Sequence, residues 1–183
     1  KFYERLKGAL EKLDTSTEII FVDDGSKDDS PAILKRIKKS DRSVRVLRFA
    51  RNFGHQIALK AGIDHAQGDA VVSIDADLQD PPEAIAEMVA EWKNGYDVVY
   101  AVRAERKGET LFKKVTAAVY YRLLRSLSSV KLPVDAGDFR LMSREVADAI
   151  RGVDEKEPYI RGWVAWAGAR PKAITIHREA RFA

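Results

Sequence analysis

The sequence contains no cysteine. That excludes a disulfide framework and any thiolate metal site, and it suits a reducing setting. Histidine is scarce as well: His55, His65 and His177 are all there is, too few and too scattered for a histidine-rich metal centre. A metal bound here would have to be a hard ion held by carboxylate oxygens. Nor is there a run of 18 or more apolar residues, so no segment reads as a transmembrane helix. The longest apolar stretches, such as residues 70–74, have the length of a strand. The opening Lys1-Phe2-Tyr3-Glu4-Arg5 alternates charged and apolar groups, and no signal peptide is expected from it. Internal repeats, low-complexity tracts and linker-like segments are also missing. With 183 residues, a single domain spanning 1–183 is expected.

Charge is plentiful and unevenly placed. The net charge is +4 and the pI near 9.2. Arg103, Arg106, Lys107, Lys113, Lys114, Arg122 and Arg125 face only Glu105 and Glu109 in the same stretch. A second basic cluster runs over residues 170–181. Such patches suit phosphate-rich ligands, anionic membrane surfaces or nucleic acid, and a solvated helix face accounts for them equally well.

Strand-like and helix-like segments alternate. Helices are expected over residues 2–13, 30–39, 54–66, 111–127, 143–150 and 159–167. A further helix is expected to run to Lys93, opened by Asp80-Pro81-Pro82 with Asp80 as its cap and stopped by Asn94-Gly95. Ser30-Pro31 is read the same way, as a cap followed by proline at the first helical position. Strands are expected over residues 18–22, 44–49, 70–74, 96–102 and 173–176. Residues 70–74 lack polar alternation apart from Ser73, the pattern of a central strand buried on both faces. The alternation predicts an α/β sandwich with a largely parallel central sheet flanked by helices.

In such sheets ligands bind at the carboxyl ends of the strands, and the acidic residues lie there. Asp23-Asp24-Gly25-Ser26 follows the first strand, where carboxylates can accept hydrogen bonds from a nucleobase or ribose and Gly25 permits a tight turn. Asp75-Ala76-Asp77-Leu78-Gln79-Asp80 follows the buried strand. Two carboxylates at i and i+2 can converge on one Mg²⁺ or Mn²⁺, with the Gln79 amide as a further oxygen ligand and substrate phosphates completing the shell. A buried strand ending in two acids is costly without a counter-ion. A diphosphate leaving group needs such neutralisation as its bond breaks.

Three strings, Phe21-Val22-Asp23-Asp24-Gly25-Ser26, Arg51-Asn52-Phe53-Gly54-His55 and Asp75-Ala76-Asp77-Leu78-Gln79-Asp80-Pro81-Pro82, occur in this order. Together they resemble glycosyltransferase family 2, and within it the polyprenyl-phosphate group that includes bactoprenol glucosyltransferases and dolichol-phosphate mannosyltransferases. Asp135-Ala136-Gly137-Asp138-Phe139-Arg140-Leu141-Met142 is similar to that group's acceptor-side motif. Residues 161–168 are similar to its amphipathic segment near the membrane. The likeness covers nearly the whole chain.

The resemblance implies a GT-A fold, a nucleoside-diphosphate sugar donor (UDP or GDP), Mg²⁺ or Mn²⁺, inversion at the anomeric carbon, and an undecaprenyl or dolichyl phosphate acceptor used in cell-envelope glycan synthesis. By matching, Asp23 and Asp24 contact the nucleoside, and Asp75, Asp77 and Gln79 hold metal and diphosphate. Arg103 and Arg140 bind phosphate groups, and Asp138 lies near the acceptor as the candidate base. A lipid phosphate is already anionic near neutral pH, since its second pKa is roughly 6. Asp138 can then position the acceptor or an arginine, with little proton transfer, whereas an alcohol acceptor would need a true base. A plain salt bridge from Asp138 to Arg140 or Arg144 is the structural alternative.

The implied partners are the nucleotide sugar, the polyprenyl phosphate and the cytoplasmic face of a membrane. Nucleic acid is not expected, and self-association is left open. The family's first strand would precede Phe2 and its membrane helices would follow residue 183, so the resemblance implies an excerpt of a larger chain. Tyr159, Ile160, Trp163 and Trp166 read either as a face resting on a membrane, with Arg161 and Arg170 at head groups, or as core aromatics. His55 opens a helix whose N-terminus can face phosphate, or it serves merely as a helix start.

Rival readings remain at this point. Ile74-Asp75-Ala76-Asp77 also suits a haloacid-dehalogenase nucleophile loop, but Gln79 stands where a Thr or Val is wanted, and the motif belongs on the first strand. A nucleotidyltransferase would need a Gly-rich basic loop after its first strand. A saccharide or other hydroxyl acceptor, or a donor-binding chain without turnover, completes the alternatives.

Overall fold

Apolar runs of strand length and amphipathic stretches between them fold largely as their patterns require. The computed structural model describes residues 1–103, 137–167 and 169–177. In chain order these form α1 (Phe2–Leu10), β1 (Ile19–Asp23), α2 (Ser30–Ser40), β2 (Val44–Arg48), α3 (His55–His65) and β3 (Ala70–Ser73). A 3-10 turn (Pro82–Ala84) leads into α4 (Ile85–Lys93), followed by β4 (Val98–Arg103), β5 (Arg140–Ser143), α5 (Arg144–Arg151), α6 (Ile160–Trp166) and β6 (Pro171–Ile176). The helix expected over 111–127 and the basic stretch beyond Arg103 lie outside the described residues. No helix among those described is long and apolar enough to cross a membrane.

β1 and β2 pair in parallel, with Ile19 opposite Val44 and Asp23 opposite Arg48. The other four strands form a mixed sheet in the order β3-β5-β4-β6. β4 and β6 are parallel, whereas β5 runs antiparallel to both β3 and β4. The expected parallel pairing holds for β1 with β2 and β4 with β6; the antiparallel member is β5, a strand that sequence periodicity did not reveal. Four residues beginning with arginine carry no readable alternation. What makes them a strand is pairing on both edges, Ala70 with Ser143 and Val98 with Met142. Successive side chains point to opposite faces, so Leu141 enters one core cluster and Met142 the other, both fully buried.

Two helix starts also differ. Ser143 caps α5 as expected, its hydroxyl accepting from the Val146 N–H at 3.4 Å. Asp29, not Ser30, occupies the cap position of α2, and the Ser30 N–H donates to Asp28 instead. Asp80 is buried rather than capping: Pro81 is extended (φ −75°, ψ 118°), and the chain tightens into a 3-10 turn before α4 begins. Consecutive prolines explain this, because each fixes its own φ and drives its predecessor out of the helical region.

β3 is less enclosed than its apolar sequence predicts. Val71 and Ser73 are buried, while Ala70 and Val72 are only partly so. β1 and β3 each have one edge without a strand partner among the described residues. An apolar cavity of about 440 Å³ lies there, lined by Phe2, Leu6, Leu59, Ile63, Val71 and Val72 among others. The two strands run in the same direction. Just before β1, the Glu18 carboxylate accepts from the N–H groups of Gln67 and Gly68, which precede β3. At the opposite ends, residues 53–55 reach both Asp24 and Asp75. The cleft lies against β1 and β3, and its lining includes His55, Asp75 and Asp138.

Candidate functional site

The carboxyl end of β1 supplies the first acidic pair. Asp23 is only 4% exposed. Its Oδ1 accepts from the Ser26 N–H at 2.8 Å, closing a turn. Its Oδ2 has no hydrogen-bond partner, although Arg48 Nε lies 3.3 Å away. A buried carboxylate oxygen without a hydrogen bond is costly, and the Arg48 guanidinium beside it offsets part of that cost. Asp24 is differently employed. Its two oxygens accept from the backbone N–H groups of Phe53 and Gly54 at 2.7 and 2.9 Å, tying the turn after β2 to the end of β1. Gly25 has φ +74°, and a Cβ there would lie 2.5 Å from the Arg51 carbonyl carbon and 2.7 Å from the Asn52 nitrogen. No side chain fits between these turns.

The carboxyl end of β3 supplies the second pair. Asp77 Oδ1 accepts from the Gln79 N–H at 3.0 Å, bridging Leu78, whose φ is +62°. A left-handed leucine costs on the order of 1 kcal/mol, and the Asp77 hydrogen bond helps to hold it. Burial raises the Asp75 carboxyl above the ordinary aspartate range; the neighbouring His55 ring pulls it back, and Asp77, Asp138 and Asp80 push it further up. Several carboxylates therefore crowd one half-buried point, which a divalent cation would relieve. Among the described residues no group of three acidic or histidine side chains is close enough to form a complete protein cage. Mg²⁺-type sites commonly take one or two carboxylates and leave the rest to phosphate and water, so Asp75 and Asp77 fit such an ion. Gln79 enters the described hydrogen bonds only through its backbone.

Asp138, just before β5, is the centre of a third cluster. Its backbone carbonyl accepts from the Ser73 hydroxyl at 2.5 Å, which anchors it to the end of β3. Arg161 of α6 grips both of its oxygens at 3.0 Å. Arg140 Nη2 reaches Oδ1 at 3.1 Å, and His55 Nε2 lies 3.0 Å from Oδ2. Burial pushes the Asp138 carboxyl up, but hydrogen bonding and charge from Arg161, with His55 and Arg140, outweigh it and hold the group below the usual range. Asp138 raises the Arg161 pKa through the same contact. Arg140 is 3% exposed and its Nε lacks a hydrogen-bond partner; burial lowers its pKa despite Asp138.

The structure thus brings Asp75, Asp77, Asp138 and Arg140 to one end of the sheet, and links Asp23 and Asp24 to them through the 51–55 turn. Arg103 is the last residue of β4. Asp138 does pair with Arg140, whereas Arg144 turns away to the Gly68 carbonyl and Asp148. Sequence reasoning missed the contacts of His55 and Arg161 with Asp138. The Arg-Asn-Phe-Gly turn before His55 offered a hint; Arg161, 23 positions from Asp138, offered none. The aromatic segment is divided: Ile160 and Trp163 are core, while Tyr159 and Trp166 are exposed at 52% and 65%.

A family model described as Glycosyl transferase family 2 matches residues 2–151. The chain is 52% identical over 181 residues to an uncharacterized glycosyltransferase, YkcC, of Bacillus subtilis, covering 99% of this chain and 56% of that protein. It is 40% identical over 182 residues to the bactoprenol glucosyl transferase of Shigella phage SfV, covering 100% of this chain and 59% of that one. The chain therefore spans under two thirds of these relatives. Among solved structures, the mannosyltransferase PcManGT from Pyrobaculum calidifontis, in complex with GDP-Man and Mn²⁺, superposes with a TM-score of 0.61. That match has 20% identity and covers 96% of this chain and 50% of the other, a likeness of fold. The α/β, GT-A-like architecture agrees with the expectation from sequence.

Proposed function

Because the chain belongs to glycosyl transferase family 2, we propose that it carries the catalytic site of an inverting hexosyltransferase. The donor is a UDP or GDP sugar, the acceptor a polyprenyl phosphate of undecaprenyl or dolichyl type, and the place the cytoplasmic face of a membrane. The observation that carries this reading is the meeting of two unlike clusters at one sheet end: acidic Asp75 and Asp77, and Asp138 ringed by Arg140, Arg161 and His55. One suits a cation and diphosphate, the other an acceptor anion.

Asp23 lies on the nucleoside side, its Oδ2 beside Arg48 and without a hydrogen bond within the chain, while Asp24 mainly holds the turn beside it. Asp75 and Asp77, with Gln79 and Arg103 nearby in the motif reading, would hold Mg²⁺ or Mn²⁺ and the diphosphate. Such an ion would supply charge neutralisation for the departing nucleoside diphosphate. An acceptor phosphate oxygen attacks the anomeric carbon, the bond to the diphosphate breaks, and attack from the opposite face inverts the centre. Asp138, held below the ordinary carboxylate range, is a weak base. That favours an acceptor that arrives already ionised over a hydroxyl, which needs its proton removed. Asp138 and Arg140 then orient the phosphate. Exposed Tyr159 and Trp166 beside Arg161 suit a membrane surface. The names of relatives agree, one being a bactoprenol glucosyl transferase and a fold neighbour holding GDP-Man with Mn²⁺.

The test is transfer of labelled sugar from UDP-glucose and GDP-mannose, in parallel, to a short polyprenyl phosphate and to saccharide hydroxyl acceptors. Turnover of the lipid phosphate is expected. Turnover of hydroxyl acceptors alone would overturn the acceptor assignment.

A further inference from the structure

Resting on that reading, we infer that His55 is a positioning residue of the transfer reaction: it ties the Asp138 carboxylate to the Asp75 end of β3 and so sets the distance between acceptor and donor. Its Nε2 lies 3.0 Å from Asp138 Oδ2 and its Nδ1 3.9 Å from Asp75 Oδ1. The ring therefore stands between the acceptor-side and donor-side carboxylates. A helix start does not require it. The cap position of α3 is Gly54, with φ +103° and no side-chain cap bond, and any residue could follow it. The contrast with His65 at the other end of the same helix is direct: His65 Nδ1 bonds the Ala61 carbonyl of its own helix, whereas the described partners of His55 belong to other loops.

The backbone around His55 is fixed as tightly as its ring. Asp24 binds the N–H groups of Phe53 and Gly54, and Gly25 admits the 51–52 backbone at a distance no Cβ would allow. The turn thus touches all three acidic loops, at Asp24, Asp75 and Asp138. Arg140 and Arg161 hold Asp138 from β5 and α6. His55 links it to α3, and through that to the nucleoside side. Reacting groups must be held close and aligned, and a misplacement of about 1 Å can cost about a hundredfold in rate.

The test compares His55→Ala, His55→Gln, Asp138→Asn and the His55→Ala/Asp138→Asn double variant in the full-length protein. The acceptor is whichever of polyprenyl phosphate or saccharide the wild type turns over, so that a wrong acceptor assignment is seen in the wild type alone. His55→Ala should lower kcat about ten- to a hundredfold, leave the donor KM within about twofold, and add little in the Asp138→Asn background. His55→Gln, which keeps a hydrogen-bonding group, should recover much of the loss. An unchanged kcat overturns the inference. So does a loss that appears equally in the donor KM or persists in full beside Asp138→Asn, since His55 would then serve the donor site or the fold. A wild type that transfers to neither acceptor overturns both readings.

Discussion

Arg161 holds both carboxylate oxygens of Asp138 at once, Nε to Oδ1 and Nη2 to Oδ2, each at 3.0 Å. This is the planar fork that arginine offers and lysine does not. Arg161→Lys keeps the charge but only one donor direction. A charge-assisted hydrogen bond contributes about 1.5–3 kcal/mol, so kcat/KM for the acceptor should fall at least about tenfold while donor binding is unchanged. Equal activity in the lysine variant, measured by acceptor titration, would show that charge alone suffices.

The same contact ties stability to pH. The Asp138 pKa is lowered in the folded protein, so its contribution is fully present above the unfolded aspartate value of about 3.9 and is lost as pH falls through the folded value. Stability to urea should drop between about pH 4 and lower values, and the drop should shrink in Asp138→Asn. An acid limb of the same depth in both proteins would place the linkage elsewhere.

Asp75 has the opposite sign. Its carboxyl is raised by burial and by Asp77, Asp138 and Asp80, so its ionised form opposes folding at neutral pH and that penalty disappears as pH falls toward the raised value. Asp75→Asn should melt a few degrees higher than wild type in EDTA. Added Mn²⁺ should stabilise the wild type and not the variant. A lower melting point in EDTA would mean that the carboxylate makes contacts worth more than its repulsion.

Gly25→Ala places a methyl group against the Arg51–Asn52 backbone in a left-handed conformation. The cost should be about 1–3 kcal/mol, and nucleoside diphosphate affinity should fall because the Asp23 and 51–55 turns move apart. Denaturant melts and nucleotide titration of the variant measure the two effects separately. Unaltered stability would show that the turns are free to separate.

How much of this was legible beforehand differs from element to element. Asp75-x-Asp77 after an apolar run, and Asp23-Asp24-Gly25 after another, marked the candidate site because acids at strand ends are a local signal. β5 was not legible: its burial comes from pairing with β3 and β4, a non-local fact that four residues cannot encode. The Asp24 bonds to residue 53 and 54 amides, and the grip of Arg161 on Asp138, join positions 29, 30 and 23 apart in sequence. No spacing rule predicts them. Asp80 misled for a local reason, since the proline pair that suggested a helix start also forced a 3-10 turn ahead of it.

The most direct measurement is calorimetric titration of the protein with UDP and GDP, in Mn²⁺ and in EDTA, for wild type and Asp77→Ala. If the ends of β1 and β3 form the donor site, one nucleotide binds in Mn²⁺, binding weakens strongly in EDTA, and the folded Asp77→Ala variant loses the metal-dependent part. Binding that ignores both the metal and the substitution, or no binding by a folded wild type, would contradict the assignment of Asp75 and Asp77 to the donor.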